Sequence, residues 1–229
     1  VSADPAAGLD AAAAGRLRAV LDLLAEERAS VSSVVDQRAW QVHVLDSLTG
    51  LELPELRAAS RIADVGAGAG FPGLVLAVAL PSAQVDLIES VGRKCEFMRR
   101  ASAAAKIANA QVLNVRSEDL AGGDGRETYD VVTARAVGRL STLAELASPL
   151  LKPNGVLVAW KGRRDPGEEE QLASAAESLA MQPERILDVG DRAGSEHRHL
   201  HLIRKTGPTP ANLPRKPGIA KKRPKGQLS

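Results

Sequence analysis

The chain has 229 residues, enough to bury one complete core with an extension and too few for two complete domains. Its single cysteine, Cys95, excludes an intrachain disulfide framework, and no Cys or His cluster has metal-ligand spacing, so no metal is expected. The formal charge of +2 hides an asymmetry: residues 197–229 hold nine Lys or Arg and no Asp or Glu, which leaves residues 1–196 with 21 basic against 28 acidic side chains. A polyanionic partner gripped at the C-terminal end is expected from that split.

In chain order, apolar residues from Leu9 to Leu24 fall at the spacing of one buried helix face, and a second helix is predicted over 36–48, where Trp40, Val44, Leu45 and Leu48 share a side. Residues 1–58 read as a helical extension. After Arg61 short β-rich runs alternate with helical ones: strands at RIADVG, QVDLIES, AQVLNV, YDVVTARAV and GVLVAWKG, and helices at PGLVLAVAL, GRKCEFMRRASAAAKI and LSTLAELASPLL. That alternation predicts an α/β Rossmann-like domain over 59–206, a mostly parallel seven-stranded sheet with helices on both faces. The charged helix near EEEQLASAAESLA precedes two further strands, PERILDVGD and HRHLHLIRKT, close enough in sequence to pair antiparallel at one edge. Residues 207–229, basic and Pro-rich without amphipathic period, read as loop or disorder. The apolar run Leu74–Leu80 is too short to span a bilayer and the start of the chain lacks a basic stretch before an apolar one, so a cytoplasmic protein without membrane contact is expected.

The chemistry sits in IADVGAGAGFPG, Ile62 to Gly73. Glycines directly after a strand and before a helix mark a ligand loop. A dinucleotide fingerprint would place its third glycine at position 71, which is Phe71, and no Lys-Ser or Lys-Thr follows to make a phosphate-cradling loop. The ligand is therefore expected to lack a pyrophosphate. Asp64 on the first strand, Gly66, Gly68 and Gly70 in the loop, and Glu89 closing the second strand resemble the S-adenosylmethionine loop of Rossmann-like methyltransferases. Glu89 stands where an acid accepts hydrogen bonds from ribose hydroxyls.

The match is closer than a superfamily. DVGAGAGFPG, with Trp40 and His43 in WQVHVLDSL upstream, RSEDL after the third strand and TARAV ending the fourth, resembles the glucose-inhibited division protein B family, the bacterial 16S ribosomal RNA guanine-N7 methyltransferases. The resemblance covers about Val34 to Lys205; the stretch ASVSSVVDQ before Trp40 departs from the family pattern. It implies that Gly66 and Phe71 contact the cofactor, that Glu89 and Ser90 meet its ribose, that Ser117 and Glu118 border its adenine end, and that Arg135 lines the pocket. The implied partner is 16S ribosomal RNA or the small ribosomal subunit, the protein acting as a monomer.

Guanine N7 bears no proton, so its lone pair attacks a methyl group without a general base. The fourth strand ends in Thr133-Ala134-Arg135-Ala136, which lacks a proton acceptor. Arg135 is then expected to position the base through O6, or else to brace the loop by an ion pair with Asp130 or Glu118. His43 and Asp46, three apart, read either as a catalytic pair or as a packing contact. Phe71 and Trp160, both near strand ends, are candidates to stack on the target base. Arg215, Lys216, Lys221, Lys222, Arg223 and Lys225 are expected to grip RNA as an extended strap remote from the cofactor. The other readings are another RNA or small-molecule S-adenosylmethionine-dependent methyltransferase, or a non-enzymatic RNA-binding protein of the same fold.

Overall fold

In the computed structural model, which describes residues 9–27, 32, 34–35, 38–190 and 197–226, the alternating pattern closes into one seven-stranded sheet. Helix α1 (Ala11–Glu26) starts at Asp10, whose carboxylate accepts from the Ala13 N–H at 2.7 Å. A π-helical turn, Trp40–Leu45, runs into α2 (Asp46–Leu48) and a 3-10 turn, Thr49–Glu52. The helix expected over 36–48 is thus largely a wider π turn; positions 36 and 37 lie outside the described residues. The short α3 (Pro54–Arg57), with Pro54 at its first position, closes the helical extension before the first strand.

The sheet core follows as β1 (Arg61–Val65), α4 (Gly73–Ala79), β2 (Gln84–Ile88), α5 (Gly92–Ala104), β3 (Ala110–Leu113), α6 (Ser117–Ala121), β4 (Tyr129–Arg135), α7 (Leu140–Ala147), β5 (Leu151–Lys161), α8 (Pro166–Leu179), β6 (Met181–Asp188) and β7 (His199–Lys205). The strand order is β3-β2-β1-β4-β5-β7-β6. β1 to β5 run parallel, and β7 is antiparallel to both β5 and β6, as the closely spaced late strands predicted.

Period-two alternation divides each inner strand between two cores. Ile62, Val85, Val131, Val156 and Val158 face one side, where α1, the π turn, α4 and α5 pack. Ala63, Val65, Val132, Leu157 and Ala159 face the other, against α7 and α8. The N-terminal elements therefore share a core with the sheet: Leu17, Val20, Leu24 and Val44 are fully buried in it.

Residues 207–226 are not a detached tail. Leu213 is buried in the α7/α8 core, and a short helix, α9 (Ile219–Lys222), packs on α7 with Ala220 2% exposed. Lys205 is fully buried, donating to Glu127, Leu151 O and Thr209, and so fixes where the segment leaves β7. No described helix is long and apolar enough to cross a membrane.

Candidate functional site

Strand order reverses at β1, which pairs with β2 on one side and β4 on the other. The crevice beyond the carboxyl ends of β1 and β4 is where such sheets bind ligands, and the glycine loop and Arg135 flank it. The N–H groups of Gly66 and Ala67 both donate to Ile88 O, at 2.9 and 3.1 Å, which ties the loop to β2. Gly66 and Gly68 take φ of +68° and +59°, a region that disfavours any Cβ. A Cβ on Gly68 meets nothing closer than Gly66 O at 3.8 Å, so the loop leaves free space there. Glu89 arches back over the loop: its carboxylate accepts from the N–H of Gly68 at 3.1 Å and of Val91 at 2.9 Å.

Two cavities meet at Gly66. The smaller, about 190 Å³, is lined by Gly66, Glu89, Ser90, Ser117 and Glu118, with Gly218 and Ala220 of the C-terminal segment. Glu89 and Glu118 suit hydroxyl and amine donors, while Arg116 and Lys221 also line it, so the wall is of mixed charge. The larger, about 730 Å³, is lined by Gly68, Phe71 and His43 together with the cationic Lys94, Arg135 and Arg198. Its charge suits an anionic polymer.

Arg135 is held from the π turn. Its Nη1 donates to Val42 O at 2.8 Å and to Asp46 Oδ2 at 2.9 Å, and its Nη2 lies 3.2 Å from His43 Nδ1. His43 Nε2 is 2.9 Å from Val34 O, an acceptor only, so this nitrogen carries the proton and Nδ1 accepts from Arg135. Burial, more than anything else, lowers the His43 pKa, and the neighbouring guanidinium lowers it further. The His43 ring stacks on Phe71 with centroids 4.5 Å apart and planes 11° from parallel. Asp46 also faces Arg198, with Nε and Oδ1 2.8 Å apart; the N–H is not aligned on that oxygen, so the contact is an ion pair without a hydrogen bond.

A family profile described as GidB, rRNA small subunit methyltransferase G, matches residues 17–200. The chain belongs to the rRNA small subunit methyltransferase G family. It is 34% identical over 200 residues to the "Ribosomal RNA small subunit methyltransferase G" of Moorella thermoacetica, covering 86% of this chain and 83% of that one. To the protein of the same name in Bacillus subtilis it is 35% identical over 207 residues, 89% of this chain and 87% of that. Among solved structures, a SAM-dependent methyltransferase from Aquifex aeolicus superposes with a TM-score of 0.56 at 17% identity, over 75% of this chain and 94% of that one, a likeness of fold.

In this methyltransferase G family member most of the residues singled out from sequence converge. Gly66, Glu89, Ser90, Ser117 and Glu118 share the smaller cavity, and Gly66, Gly68, Phe71 and Arg135 the larger. Asp64 and Gly70 line neither and support the loop from behind. Asp64 is 1% exposed; it accepts from the Gly73 N–H at 2.9 Å and the Thr133 hydroxyl at 3.0 Å, and burial raises its pKa to about 7. A Cβ on Gly70 would lie 2.4 Å from Leu74 Cδ1, so that glycine is set by packing.

Other expectations are corrected. Arg135 pairs with Asp46, not with Asp130, which takes Lys152 at 2.6 Å, nor with Glu118, which accepts from Ser117 and Gly218. Trp160 is 1% exposed and donates its indole N–H to Asp46 O at 2.9 Å, so it packs under the site and offers no face to a base. One face of Phe71 is already taken by His43. Arg215 is committed to Glu145 by a two-pronged ion pair, and the basic segment borders the smaller cavity instead of lying remote from it. Sequence reading did not single out Lys94, Arg198, Gly218 or Ala220. Only the basic bias after position 196 pointed at Arg198, and nothing in local pattern ties 218–220 to the glycine loop.

Proposed function

We infer that this chain transfers a methyl group from S-adenosylmethionine to N7 of a guanine in 16S ribosomal RNA. Its membership of a family of that name carries the reading, and the geometry agrees with it. The cofactor's residues are proposed as follows. Gly66 and Gly68 leave room at their positive-φ turns, Phe71 borders the methyl end, Glu89 and Ser90 meet the ribose, and Ser117 and Glu118 border the adenine. The fit is chemical: Glu89 and Glu118 can accept from the hydroxyl and amine donors of a nucleoside, and the glycine loop itself carries no cation to hold a pyrophosphate. When bound, the cofactor supplies an electrophilic methyl group on a sulfonium sulfur.

The chain's own work is placement. Arg135 has two N–H groups beyond those given to Val42, Asp46 and His43. One of these donates to guanine O6 and leaves N7 free, whereas the usual bidentate O6/N7 grip would block the nucleophile. Asp46 neutralises the guanidinium, which lessens its repulsion of a nearby sulfonium. No side chain need take a proton, because N7 has none to lose, and alignment alone supplies several orders of magnitude. Lys216, Lys222 and Arg223, all exposed, are proposed to meet RNA phosphates.

The test is methyl transfer from labelled cofactor to 16S ribosomal RNA, either naked or in small subunits, with large-subunit RNA as control. Label confined to the 16S RNA is expected; no incorporation into either form of substrate overturns the reading.

A further inference from the structure

We propose that the C-terminal segment, residues 213–225, is part of the cofactor site: Gly218 to Lys221 forms the wall that closes its adenine side. The proposal rests on the assignment of the smaller cavity to the cofactor.

The segment is fastened over α7 and α8 by contacts specific to particular residues. Arg126 Nη1 donates to Leu213 O at 3.1 Å, and Gln171 Nε2 to Lys225 O at 3.2 Å. Arg215 forks onto the carboxylate of Glu145, which is 2% exposed. An acid buried that deeply is costly unless paired, so the ion pair holds the strap in one place. Thr142 donates to Ala220 O at 3.3 Å, and both residues line the cavity.

The decisive contact is between the strap and the cavity's opposite wall. Gly218 N–H donates to Glu118 Oε1 at 2.8 Å, while Ser117 holds Oε2 at 3.1 Å. Gly218 has φ +81°, a conformation that suits glycine, and it turns the chain so that Ala220 is buried at the cavity. Glu118, Gly218 and Ala220 therefore form one continuous surface around the space assigned to the adenine. Removing the strap would open that side to water, and the cofactor would lose a wall on which the adenine ring packs. Lys222, next to the cavity-lining Lys221 on the same short helix, is exposed and does not line the cavity, so the element that walls the cofactor also carries a cation outward.

The test is calorimetric titration of the full chain with S-adenosylhomocysteine, comparing wild type, Ala220→Phe and, as control, Glu177→Ala, an exposed position on α8 that lines neither cavity. A ring at position 220 has only the cavity or the α7 packing to enter. Affinity is expected to fall roughly tenfold or more in A220F and to stay within about twofold in E177A. In parallel, amide exchange of the wild type is followed with and without S-adenosylhomocysteine, and residues 218–221 are expected to gain protection. A folded A220F that binds as tightly as wild type overturns the proposal. If A220F does not fold, unaltered exchange at 218–221 on saturation of the wild type overturns it. A wild-type protein that takes up no S-adenosylhomocysteine overturns the cofactor assignment itself, and the strap's role with it.

Discussion

Asp46, in the helical turn before the sheet, accepts from Arg135 at the end of β4 across 2.9 Å, and both side chains are nearly out of solvent at 2% and 12% exposure. The pair places a cation at the rim of the larger cavity in a single orientation. Asp46→Ala strands two arginine charges, Arg135 and Arg198, and is expected to destabilise the fold by about 3–5 kcal/mol, as for other broken buried pairs. Asp46→Asn keeps an acceptor and should fold. Its turnover is expected to drop at least about tenfold with S-adenosylhomocysteine affinity unchanged, because the altered group positions the base and not the cofactor. Parallel loss of cofactor affinity in D46N would contradict this division of labour.

Of the three positive-φ glycines of the ligand loop, Gly66 and Gly68 are expected to fail differently. A Cβ at Gly66 would lie 2.7 Å from Val137 Cγ2, so Gly66→Ala both strains the turn and collides with β4's exit. Gly68 has open space, so Gly68→Ala should cost only the left-handed strain of about 1–2 kcal/mol while still crowding the cofactor. Thermal unfolding without ligand and calorimetry with S-adenosylhomocysteine separate the effects. Gly68→Val that folds and binds normally would remove the loop from the site.

Burial pushes the Asp64 carboxyl up to about 7, against the opposing hydrogen bonds from Gly73 and Thr133. A carboxyl whose folded pKa exceeds its unfolded value of about 3.9 favours folding fully below that value, and the contribution is lost as pH rises through about 7. The stability advantage of wild type over Asp64→Asn should therefore shrink from about pH 4 to pH 7.5 and then level. Urea midpoints across that range measure it, and parallel curves for the two proteins would contradict it. Above that window methyl transfer is expected to be flat to about pH 9, since N7 loses no proton.

Much of this was legible in the sequence because the relevant physics is local. Short β-rich runs alternating with helical ones predicted the parallel sheet, and the glycines before α4, with Glu89 closing β2, predicted a ligand loop. What sequence missed was long-range. Arg135 had acids nearer in the chain, yet its partner is Asp46, 89 positions away. Residues 207–226 carry no helical period, since they dock through backbone carbonyls, the Arg215–Glu145 pair and two isolated apolar anchors, Leu213 and Ala220, and not through an apolar stripe. The π turn that presents Val42 O and His43 to Arg135 has no pattern distinguishing it from an ordinary helix.

RNA grip is expected from the exposed cations of the C-terminal segment and not from Arg215, which Glu145 occupies. Replacing Lys216, Lys222 and Arg223 with Gln should lower the slope of log affinity against log salt by about two units, at about 0.7–0.9 per lost phosphate contact. Cofactor affinity should stay unchanged, because these three side chains do not line the smaller cavity. An unaltered salt slope would show that the grip lies elsewhere.

The most direct measurement of the central claim is the position of the transferred methyl group. Reacted 16S RNA is treated with borohydride and aniline, which cleave the chain at N7-methylguanosine, and the fragment ends are read. Cleavage at one guanine, appearing with enzyme and cofactor and abolished in Arg135→Ala, is the expected result; a methyl group found at N1, N2 or a ribose hydroxyl, where a proton must leave, would contradict the account.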